Sequence, residues 1–380
     1  MSDTLNARAI SLHRPSTHVD YGLAFGLILL GVFGTFMTYS ATRQALVNAG
    51  ENPHYYLERQ GFFVILGIIA MTIIARIDYR RLDVLATPLY ICSFFALAGV
   101  FVIGKQALGA QRWYSFGFVQ IQPSEFTVLF IILAVATFCE RRSEGLRMYD
   151  VVRLLIMAGA PLGLIVLQPD LGTSIIIILV VAGMMVVAGI PPRFMTFLTV
   201  VGSAGLVAAV YLGLLQKYQV DRFYSFLNQN SNNKAISALL YEVHNAKSAI
   251  GAGGLWGSGI FKGLQTVLGF VPEQRTDFIF TAIGEQLGFI GATSVILLLG
   301  FIAWRMWVIG RRAKDLMGRL LCIGIFIFFS FSCFENIGMT MGIMPVTGIP
   351  LPLLSYGGSA ALVFFSAGGL VLSVSRRLGN

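Results

Sequence analysis

Residues 173–190 read TSIIIILVVAGMMVVAGI, a run of 18 residues without a charged side chain. A helix rises about 1.5 Å per residue, so about 20 apolar residues cross a bilayer core of roughly 30 Å. Similar runs recur along the chain and predict an all-α membrane protein, a polytopic bundle of ten transmembrane helices. The predicted spans are residues 21–41, 61–77, 84–102, 123–138, 152–167, 173–190, 194–214, 278–304, 320–341 and 358–374.

The composition of the chain agrees with a membrane environment. Of its 380 residues 56% are hydrophobic and only 12% are charged, and the mean hydropathy is +0.77. A soluble or disordered protein is therefore excluded. The 42 glycines suit helices that approach one another closely in lipid. The four cysteines have neither C-x-x-C nor metal-ligand spacing, so we interpret them as structural thiols.

The distribution of charge indicates how the chain is oriented. It carries 27 basic and 18 acidic residues, a formal charge of +9, and the basic residues form short clusters between apolar runs. This arrangement indicates membrane topology rather than nucleic-acid binding. Of the Lys and Arg residues, 17 lie on one side, against four in the short connections of the other side. The positive-inside rule then predicts that both termini are cytoplasmic, with a cytoplasmic tail, residues 1–20, and a membrane domain, residues 21–380.

A long extracytoplasmic loop, residues 215–277, joins spans 7 and 8. Connections between helices are usually far shorter, so this loop is either functional or disordered. Its apolar residues recur at helical spacing, and we expect an amphipathic helix that lies on the membrane. Those residues are Ile236, Leu239, Leu240, Val243 and Ala246.

The loop ends in VPEQRTDFIF, residues 271–280, where charged residues meet the eighth span from outside. An acid at the start of a helix, as Asp277 is here, is typical of a capping residue, because the macrodipole favours it. A carboxylate at a water interface is also typical of a general base, beside cations that hold an anionic substrate. The local sequence leaves both interpretations open. The neighbouring candidates for substrate binding are Glu273, Arg275 and Thr276.

Glycines dominate residues 250–259, IGAGGLWGSG, which Lys262 and Gln265 follow. The residue order of a P-loop is absent. The segment is either a flexible turn or a stretch whose exposed amides approach a diphosphate. The second interpretation makes Lys262 and Gln265 candidate substrate-binding residues.

Several acidic residues fall inside predicted spans or at their ends. Ionised carboxylates within a membrane are costly and usually face a cavity or a partner. Glu125 ends the motif QIQPSE, residues 120–125, and lies one turn into span 4, after a segment that contains the candidate cation Arg112. Asp170 in QPDLGT, residues 168–173, is typical of a helix N-cap. We expect Glu285 and Glu335 to face inward.

Helix breakers crowd residues 342–359, GIMPVTGIPLPLLSYGGS, between spans 9 and 10. A re-entrant loop buried among helices would explain this apolar segment, since irregular backbone at membrane depth needs protein or water around it. A shallow surface loop is the alternative. No H-E-x-x-H or G-x-S-x-G motif occurs in the sequence, and its four histidines are scattered.

Four motifs, in chain order on ten spans, resemble the SEDS family of shape, elongation, division and sporulation proteins. They lie at residues 120–125, 250–259, 271–280 and 342–359. The resemblance covers nearly the whole chain, and NIGM, residues 336–339, with PVTGIPLP, residues 345–352, looks more like the RodA branch than the FtsW division branch. It implies a peptidoglycan glycosyltransferase of the bacterial inner membrane that polymerises lipid II into β-1,4 glycan strands during cell-wall elongation and rod-shape maintenance. It also implies a class B penicillin-binding protein and other membrane proteins of the elongation complex as partners.

Residue by residue, Asp277 matches the family's essential aspartate in P-E-x-x-T-D-F-I-F, and Glu125 matches its acidic residue in Q-P-S-E. The family usually places a lysine three residues after that glutamate, at the spacing of a helical ion pair. Val128 occupies this position here, so either Arg112 or Lys105 pairs with Glu125, or the carboxyl is protonated. Gln286 likewise replaces a second glutamate. Residues interpreted as structural or coupling are Glu125, Asp170, Glu285, Asn336, Ser355 and Tyr356.

The implied reaction needs an activated sugar hydroxyl and a stabilised diphosphate. We expect Asp277 to take the proton from the 4-hydroxyl of the acceptor N-acetylglucosamine, which attacks the donor's anomeric carbon from the opposite face and inverts it. The sequence leaves open whether a divalent cation, Mg or Mn, bridges Asp277 and the diphosphate, because no ligand cluster indicates one. Candidates for binding the diphosphate are Lys105, Arg112, Lys262 and Arg275.

Two other functions also fit ten spans with a central acidic residue. A lipid II flippase needs polar residues along the cytoplasmic half of a passage, whereas the ionisable groups here concentrate in the outer half. A non-catalytic membrane scaffold for a cell-wall synthase would keep its function if Asp277 lost its charge.

Overall fold

The computed structural model describes residues 19–107, 110–117, 119–142, 146–211, 213, 217–229 and 236–378. The predicted tail, residues 1–20, lies outside the described residues except for its last two. A short 3-10 turn, Tyr79–Leu82, precedes the third helix. The α-helices are α1 (Tyr21–Asn48), α2 (Tyr55–Arg76), α3 (Asp83–Ile103), α4 (Pro123–Glu140), α5 (Met148–Leu167), α6 (Leu171–Val187), α7 (Pro192–Tyr211), α8 (Lys217–Leu227), α9 (Ser237–Ala252), α10 (Leu264–Val267), α11 (Ile279–Arg312), α12 (Leu316–Thr340) and α13 (Gly358–Ser375).

Within the described ranges, eight helices are long and apolar enough to cross a membrane: α1 to α5 and α11 to α13, with the 3-10 turn counted as part of α3. α6 is apolar but has only 17 residues. α7 occupies the seventh predicted run. The all-α membrane fold is thus confirmed and each predicted run coincides with a helix, while ten crossings stay a prediction.

The helix ends show what hydropathy measures. α4 begins at Pro123 and α13 at Gly358, as predicted. In contrast, α1 continues to Asn48 beyond its predicted end at residue 41, and α2 begins at Tyr55 rather than at residue 61. Hydropathy detects the part of a helix that suits lipid, whereas polar turns outside that part remain helical because their backbone hydrogen bonds are intact.

A small antiparallel sheet, which the sequence did not predict, lies between α3 and α4. Its strands are β1 (Lys105–Ala107), β2 (Ala110–Phe116) and β3 (Val119–Ile121), in the order β1-β2-β3. Tyr114 of β2 pairs with Ile121 of β3, and its hydroxyl donates to the carbonyl of Ala96 in α3 at 2.8 Å. This bond ties the sheet to the bundle and holds β2 above the start of α4.

Residues 342–357 form irregular backbone, and residues 346–355 of it are largely buried among the helices. The side chains of Leu351, Leu353 and Leu354 are at most 2% exposed. α1 approaches this loop so closely that a Cβ on Gly34 would lie 2.2 Å from the carbonyl oxygen of Leu353. The buried-loop interpretation is confirmed, and the shallow surface loop is wrong.

The amphipathic helix expected in the long loop exists as α9, while its position on the membrane stays a prediction. Its apolar face packs against α11 and α12. Ala246 and Ala249 are fully buried there, in one cluster with Phe278, Met339 and Val346. The spacing of apolar residues identifies a face but not what covers it, and protein covers the part of this face around Ala246 and Ala249.

Ion pairs gather at the end of the bundle where α1 begins and α11 ends. Arg305 of α11 binds Asp20, the N-cap of α1, through two guanidinium nitrogens. Arg80 and the hydroxyl of Tyr79 donate to Asp315, the N-cap of α12, at 2.9 and 2.6 Å. Some basic residues of this face are therefore committed to holding helix ends together.

Candidate active site

Asp277 lies in a turn immediately before α11. The carbonyl of Glu273 accepts hydrogen bonds from the amides of Thr276 and Asp277, both at 3.1 Å, and of Phe278 at 3.4 Å. Glu273 has a φ of +46°, which is uncommon for a residue with a side chain. Phe278 occupies the N-cap position without any side-chain capping bond, so the capping interpretation of Asp277 is wrong. Its carboxylate is available for another role.

Asn336 of α12 fixes the backbone beside this carboxylate. Its side-chain amide donates to the carbonyls of Asp277 and Ile349, each at 2.8 Å, and the side chain is fully buried. The neighbouring Glu335 accepts a hydrogen bond from the hydroxyl of Thr347 at 3.0 Å. Two adjacent residues of α12 therefore hold the buried loop against the start of α11.

Gly348 of the buried loop passes directly alongside the carboxylate. A Cβ at this position would lie 3.2 Å from Asp277 Oδ2, and the φ of +79° is in the left-handed region that favours glycine. Only glycine meets both requirements without strain. The loop consequently forms one wall of the space around Asp277.

The surroundings of Asp277 make it a stronger base than an ordinary aspartate. Burial raises its pKa from 3.8 to about 6, and the neighbouring charge of Glu273 acts in the same direction. The charges of Arg222 and Arg112 oppose these effects. At neutral pH the carboxylate is mostly ionised yet can accept a proton, which is the state a general base requires.

The predicted cations differ in how close the structure brings them to this carboxylate. Arg112 donates to the carbonyls of Gln168 and Pro169, and it also lines a cavity beside Gly348. Lys262 is exposed, and the described residues show no contact between it and the other candidates. Lys105 begins β1, but its side chain lies outside the described part of the chain.

Arg275 belongs to a cluster of aromatic and basic side chains that sequence reasoning missed. Its guanidinium lies 4.9 Å from the ring centroid of Tyr56 and 3.6 Å from the carboxylate of Glu273. Tyr56 contacts Tyr356 edge to face with centroids 4.9 Å apart, and Arg59 donates to the Tyr356 hydroxyl. The signal available in the sequence was YYLERQ, residues 55–60, an aromatic pair with an arginine one turn later.

The buried Gln60 connects this cluster to the loop. Its amide donates to the carbonyl of Ser355 at 3.2 Å, and its oxygen accepts from the amide of Gly357 at 3.2 Å. The hydroxyl of Ser355 accepts from the amide of Leu351 at 2.8 Å, and the amide of Tyr356 donates to the carbonyl of Arg275 at 2.8 Å. Ser355 and Tyr356 therefore shape the loop, in agreement with the structural role expected for them.

Glu285 holds the segment that follows the glycines. It is only 1% exposed and accepts from the amide of Gln265 at 2.7 Å and from the amide and hydroxyl of Thr266 at 3.0 and 2.6 Å. Gln274 donates to the hydroxyls of Thr266 and Thr281, both at 3.0 Å. The inward orientation expected of Glu285 is confirmed, and the backbone amide of Gln265 is committed to it.

The glycine segment packs against a break in α11, where helix carbonyls accept hydrogen bonds from several of its amides. α11 departs from helical geometry at Gly288, where φ is 66° and ψ is −165°. The amides of Ser258 and Gly259 donate to the carbonyls of Glu285 and Gln286 at 2.9 and 3.1 Å. The amide of Phe289 donates to the carbonyl of residue 254 at 2.8 Å. Helix carbonyls already accept hydrogen bonds from the amides of residues 258 and 259, which favours the turn interpretation at these two positions. A diphosphate contact elsewhere in the segment stays a prediction.

Glu125 lines a cavity of about 60 Å³ beneath the buried loop, together with Val128 and Gly348. The hydroxyl of Ser359 is its hydrogen-bond partner, while its Oε2 has none in the described ranges. Val128 is 1% exposed and supplies no charge. The described contacts of Glu125 thus include a hydroxyl, and Arg112 lines the same cavity, so a cation partner and a protonated carboxyl both stay predictions.

Asp170 is the N-cap of α6, as its sequence context predicts. Its carboxylate accepts from the amide of Thr173 at 3.2 Å and from the hydroxyls of Thr173 and Ser124 at 2.9 and 3.1 Å. Gln122 donates to it at 3.1 Å. Within the described residues, no group of three or more His, Cys, Asp and Glu side chains is placed to hold a metal ion, so no metal ligands are assigned.

Known proteins resemble this chain over nearly its whole length. The family model for FtsW, RodA and SpoVE, described as cell cycle protein, matches residues 22–380. A probable peptidoglycan glycosyltransferase FtsW of Trichlorobacter lovleyi is 33% identical over 97% of this chain and 96% of its own length. The peptidoglycan glycosyltransferase MrdB of Escherichia coli K12 is 33% identical over 94% and 93%. A chain from a solved peptidoglycan synthase complex that coordinates polymerization and crosslinking superposes with a TM-score of 0.77, at 30% identity over 95% of this chain and 98% of that chain.

Proposed function

Because the chain belongs to the FtsW, RodA and SpoVE family and is a peptidoglycan glycosyltransferase, we propose that Asp277 is the general base of its reaction. The observation that carries the proposal is the position of its carboxylate. It precedes α11 without capping it, it is half-buried beside Gly348, and its pKa is raised to about 6. A group in this state takes up a proton at neutral pH and releases it again to water.

The proposed substrate is lipid II, a disaccharide-pentapeptide carried on undecaprenyl diphosphate. Asp277 accepts the proton of the acceptor's 4-hydroxyl as that oxygen bonds to the donor's anomeric carbon. The bond from this carbon to the diphosphate breaks at the same time, and the configuration inverts. The leaving diphosphate carries the negative charge, which nearby guanidinium groups stabilise.

Arg112, Arg222 and Arg275 are the proposed guanidinium groups. The charges of Arg112 and Arg222 both act on Asp277, and Arg275 precedes it by two residues in the same turn. Lys262, Gln265, Glu273 and Thr276 remain proposed contacts of the substrate's outer parts. Glu125, Asp170, Glu285 and Asn336 position the loops and helix ends rather than contact the reacting atoms.

The proposed location of the site is the outer face of the bacterial inner membrane. Asp277 lies at the end of the bundle opposite the Asp20–Arg305 ion pair, and the surplus of basic residues belongs to the Arg305 end. By the positive-inside rule, this distribution favours cytoplasmic termini. A class B penicillin-binding protein is the proposed partner, since the similar synthase complex couples polymerization with crosslinking.

The proposed physiological role is cell-wall elongation. The FtsW and MrdB relatives are equally similar, at 33% identity, so overall similarity does not decide between division and elongation. The residues that favour elongation are NIGM at 336–339 and PVTGIPLP at 345–352, which resemble the RodA branch.

The test is polymerisation of purified lipid II by the chain with its partner, analysed by gel electrophoresis of the glycan strands. We expect Asp277→Asn to lower the rate by at least about 100-fold while the protein folds normally, since general base catalysis contributes about 100- to 10,000-fold. Glu51→Gln, an exposed acid in the connection between α1 and α2, is the matched control and should polymerise normally. Residual activity of Asp277→Asn above about a tenth of wild type would contradict the base assignment.

A further inference from the structure

A second cavity, of about 420 Å³, lies between the beginnings of α3 and α12 and the end of α4. Its volume is in the range of small-molecule sites. α4 has 18 residues and spans about 27 Å between the two cavities, so this one is far from Asp277. The charged residues that line it are Arg80, Asp83, Glu140, Arg141 and Asp315.

Part of the hydrogen-bonding capacity in this cavity is uncommitted. Among the described residues Arg141 is held only by Asp83, through a 3.8 Å ion pair and a 3.4 Å bond to its carbonyl, and its side chain is 57% exposed. Glu140 uses one carboxylate oxygen to accept from the amide of Met317 at 2.8 Å. In the described residues, no hydrogen-bond partner contacts the other carboxylate oxygen of Glu140. Arg80 is 50% exposed although it pairs with Asp315.

The mixture of charges indicates the kind of ligand. Two guanidinium groups suit a phosphate, whereas a carboxylate with a spare oxygen suits a cationic or hydroxyl donor. Two cations and three carboxylates leave the lining with a small negative excess, which favours a zwitterion over an anion. A phosphodiester that carries an ammonium group meets all of these requirements.

We propose that this cavity binds the head group of a phosphatidylethanolamine-type phospholipid, with its phosphate on Arg80 and Arg141 and its ammonium on Glu140. The cavity opens among the ends of membrane helices, where such head groups are concentrated. This site is separate from the proposed polymerase site, so either proposal can fail without the other.

The test is native mass spectrometry of the full-length protein in detergent, titrated with dioleoylphosphatidylethanolamine, with dioleoylphosphatidylglycerol and with soluble glycerophosphoethanolamine. We expect the ethanolamine lipid to bind about tenfold more tightly than the glycerol lipid, the ratio that corresponds to one favourable charge contact. Arg141→Gln should weaken both lipids by about 10- to 100-fold, the usual effect of losing a charge-assisted hydrogen bond.

Glu140→Gln keeps an oxygen for the amide of Met317 and should remove only the preference for ethanolamine over glycerol. Arg312→Gln is the matched control, because Arg312 is an exposed arginine at the same end of the bundle, outside the cavity. It should change neither affinity by more than about twofold. Each variant is first checked for a wild-type thermal unfolding midpoint.

Three results would overturn the proposal. The first is equal affinity for the two lipids in the wild type, which would remove the ammonium contact. The second is an Arg141→Gln protein that binds both lipids like the wild type. The third is soluble glycerophosphoethanolamine binding as tightly as the lipid, which would exclude the membrane as the source of the ligand.

Discussion

The rate of polymerisation should depend on pH through a single carboxyl group, Asp277. A general base works only when deprotonated, so a raised pKa means that activity is lost as the pH falls through about 6. The perturbation is therefore the pH itself, applied to the wild type and to two variants that change the charge near this carboxyl. The variants are Glu273→Gln and Arg222→Gln.

The pKa fixes the size of the effect. With a pKa of about 6, roughly nine-tenths of Asp277 is ionised at pH 7 and about one-tenth at pH 5, so kcat/KM should fall about tenfold between these values. A carboxyl with the ordinary value of 3.8 would lose less than about a tenth of its ionised fraction over the same interval. The two cases are easily distinguished.

The variants should move the acid limb of the profile in opposite directions. The charge of Glu273 raises the pKa of Asp277, so Glu273→Gln should shift the limb to lower pH. The charge of Arg222 lowers that pKa, so Arg222→Gln should shift the limb to higher pH. A shift of the same sign in both variants would refute this electrostatic account.

The assay is the initial rate of lipid II polymerisation at low substrate concentration, from pH 5 to pH 8, in a buffer of constant ionic strength. Circular dichroism at each pH verifies that the protein stays folded. Glu51→Gln should reproduce the wild-type profile, because Glu51 is exposed outside the site. A rate that stays constant down to pH 5 with folded protein would refute the assignment of Asp277 as the base.

Three substitutions test the structure around the base. Gly348→Ala and Gly50→Ala should each cost about 1–2 kcal/mol of stability, since both positions have positive φ. Only Gly348→Ala should impair polymerisation, because its Cβ alone would meet Asp277. Equal activities of the two variants would contradict this. Asn336→Leu leaves two buried carbonyls without a donor. It should lower the free energy of unfolding by about 2–6 kcal/mol and abolish polymerisation. A stable, active variant would disprove the positioning role. Glu285→Gln weakens three hydrogen bonds to α10. It should lower the free energy of unfolding, measured by chemical denaturation, by about 2–3 kcal/mol. An unchanged unfolding curve would show that the carboxylate does not hold the segment.

The sequence predicted those features that depend on local patterns. Apolar runs located the helices, Pro123 marked the beginning of α4, and the acid in QPDLGT capped α6. These signals lie within a few residues of the structure they specify. The same holds for the helical spacing that revealed α9.

The sequence did not predict features that depend on contacts between residues far apart in the chain. Gln60 and Ser355 are 295 positions apart, and nothing in either segment indicates that their side chain and backbone meet. The strands between α3 and α4 depend on the bond between Tyr114 and the carbonyl of Ala96. The role of Asp277 was ambiguous for the same reason, because only the observed turn shows that its carboxylate is not a cap.

The burial of α9 determines how this protein can be divided and recombined. Ala246 and Ala249 share one apolar cluster with Phe278 before α11 and with Val346 of the buried loop. A chimera that grafts the outer segment of a relative onto this bundle would therefore have to carry residues 236–279 and 342–357 as a matched set. Exchanging either part alone would place foreign side chains against the turn that holds the reactive carboxylate.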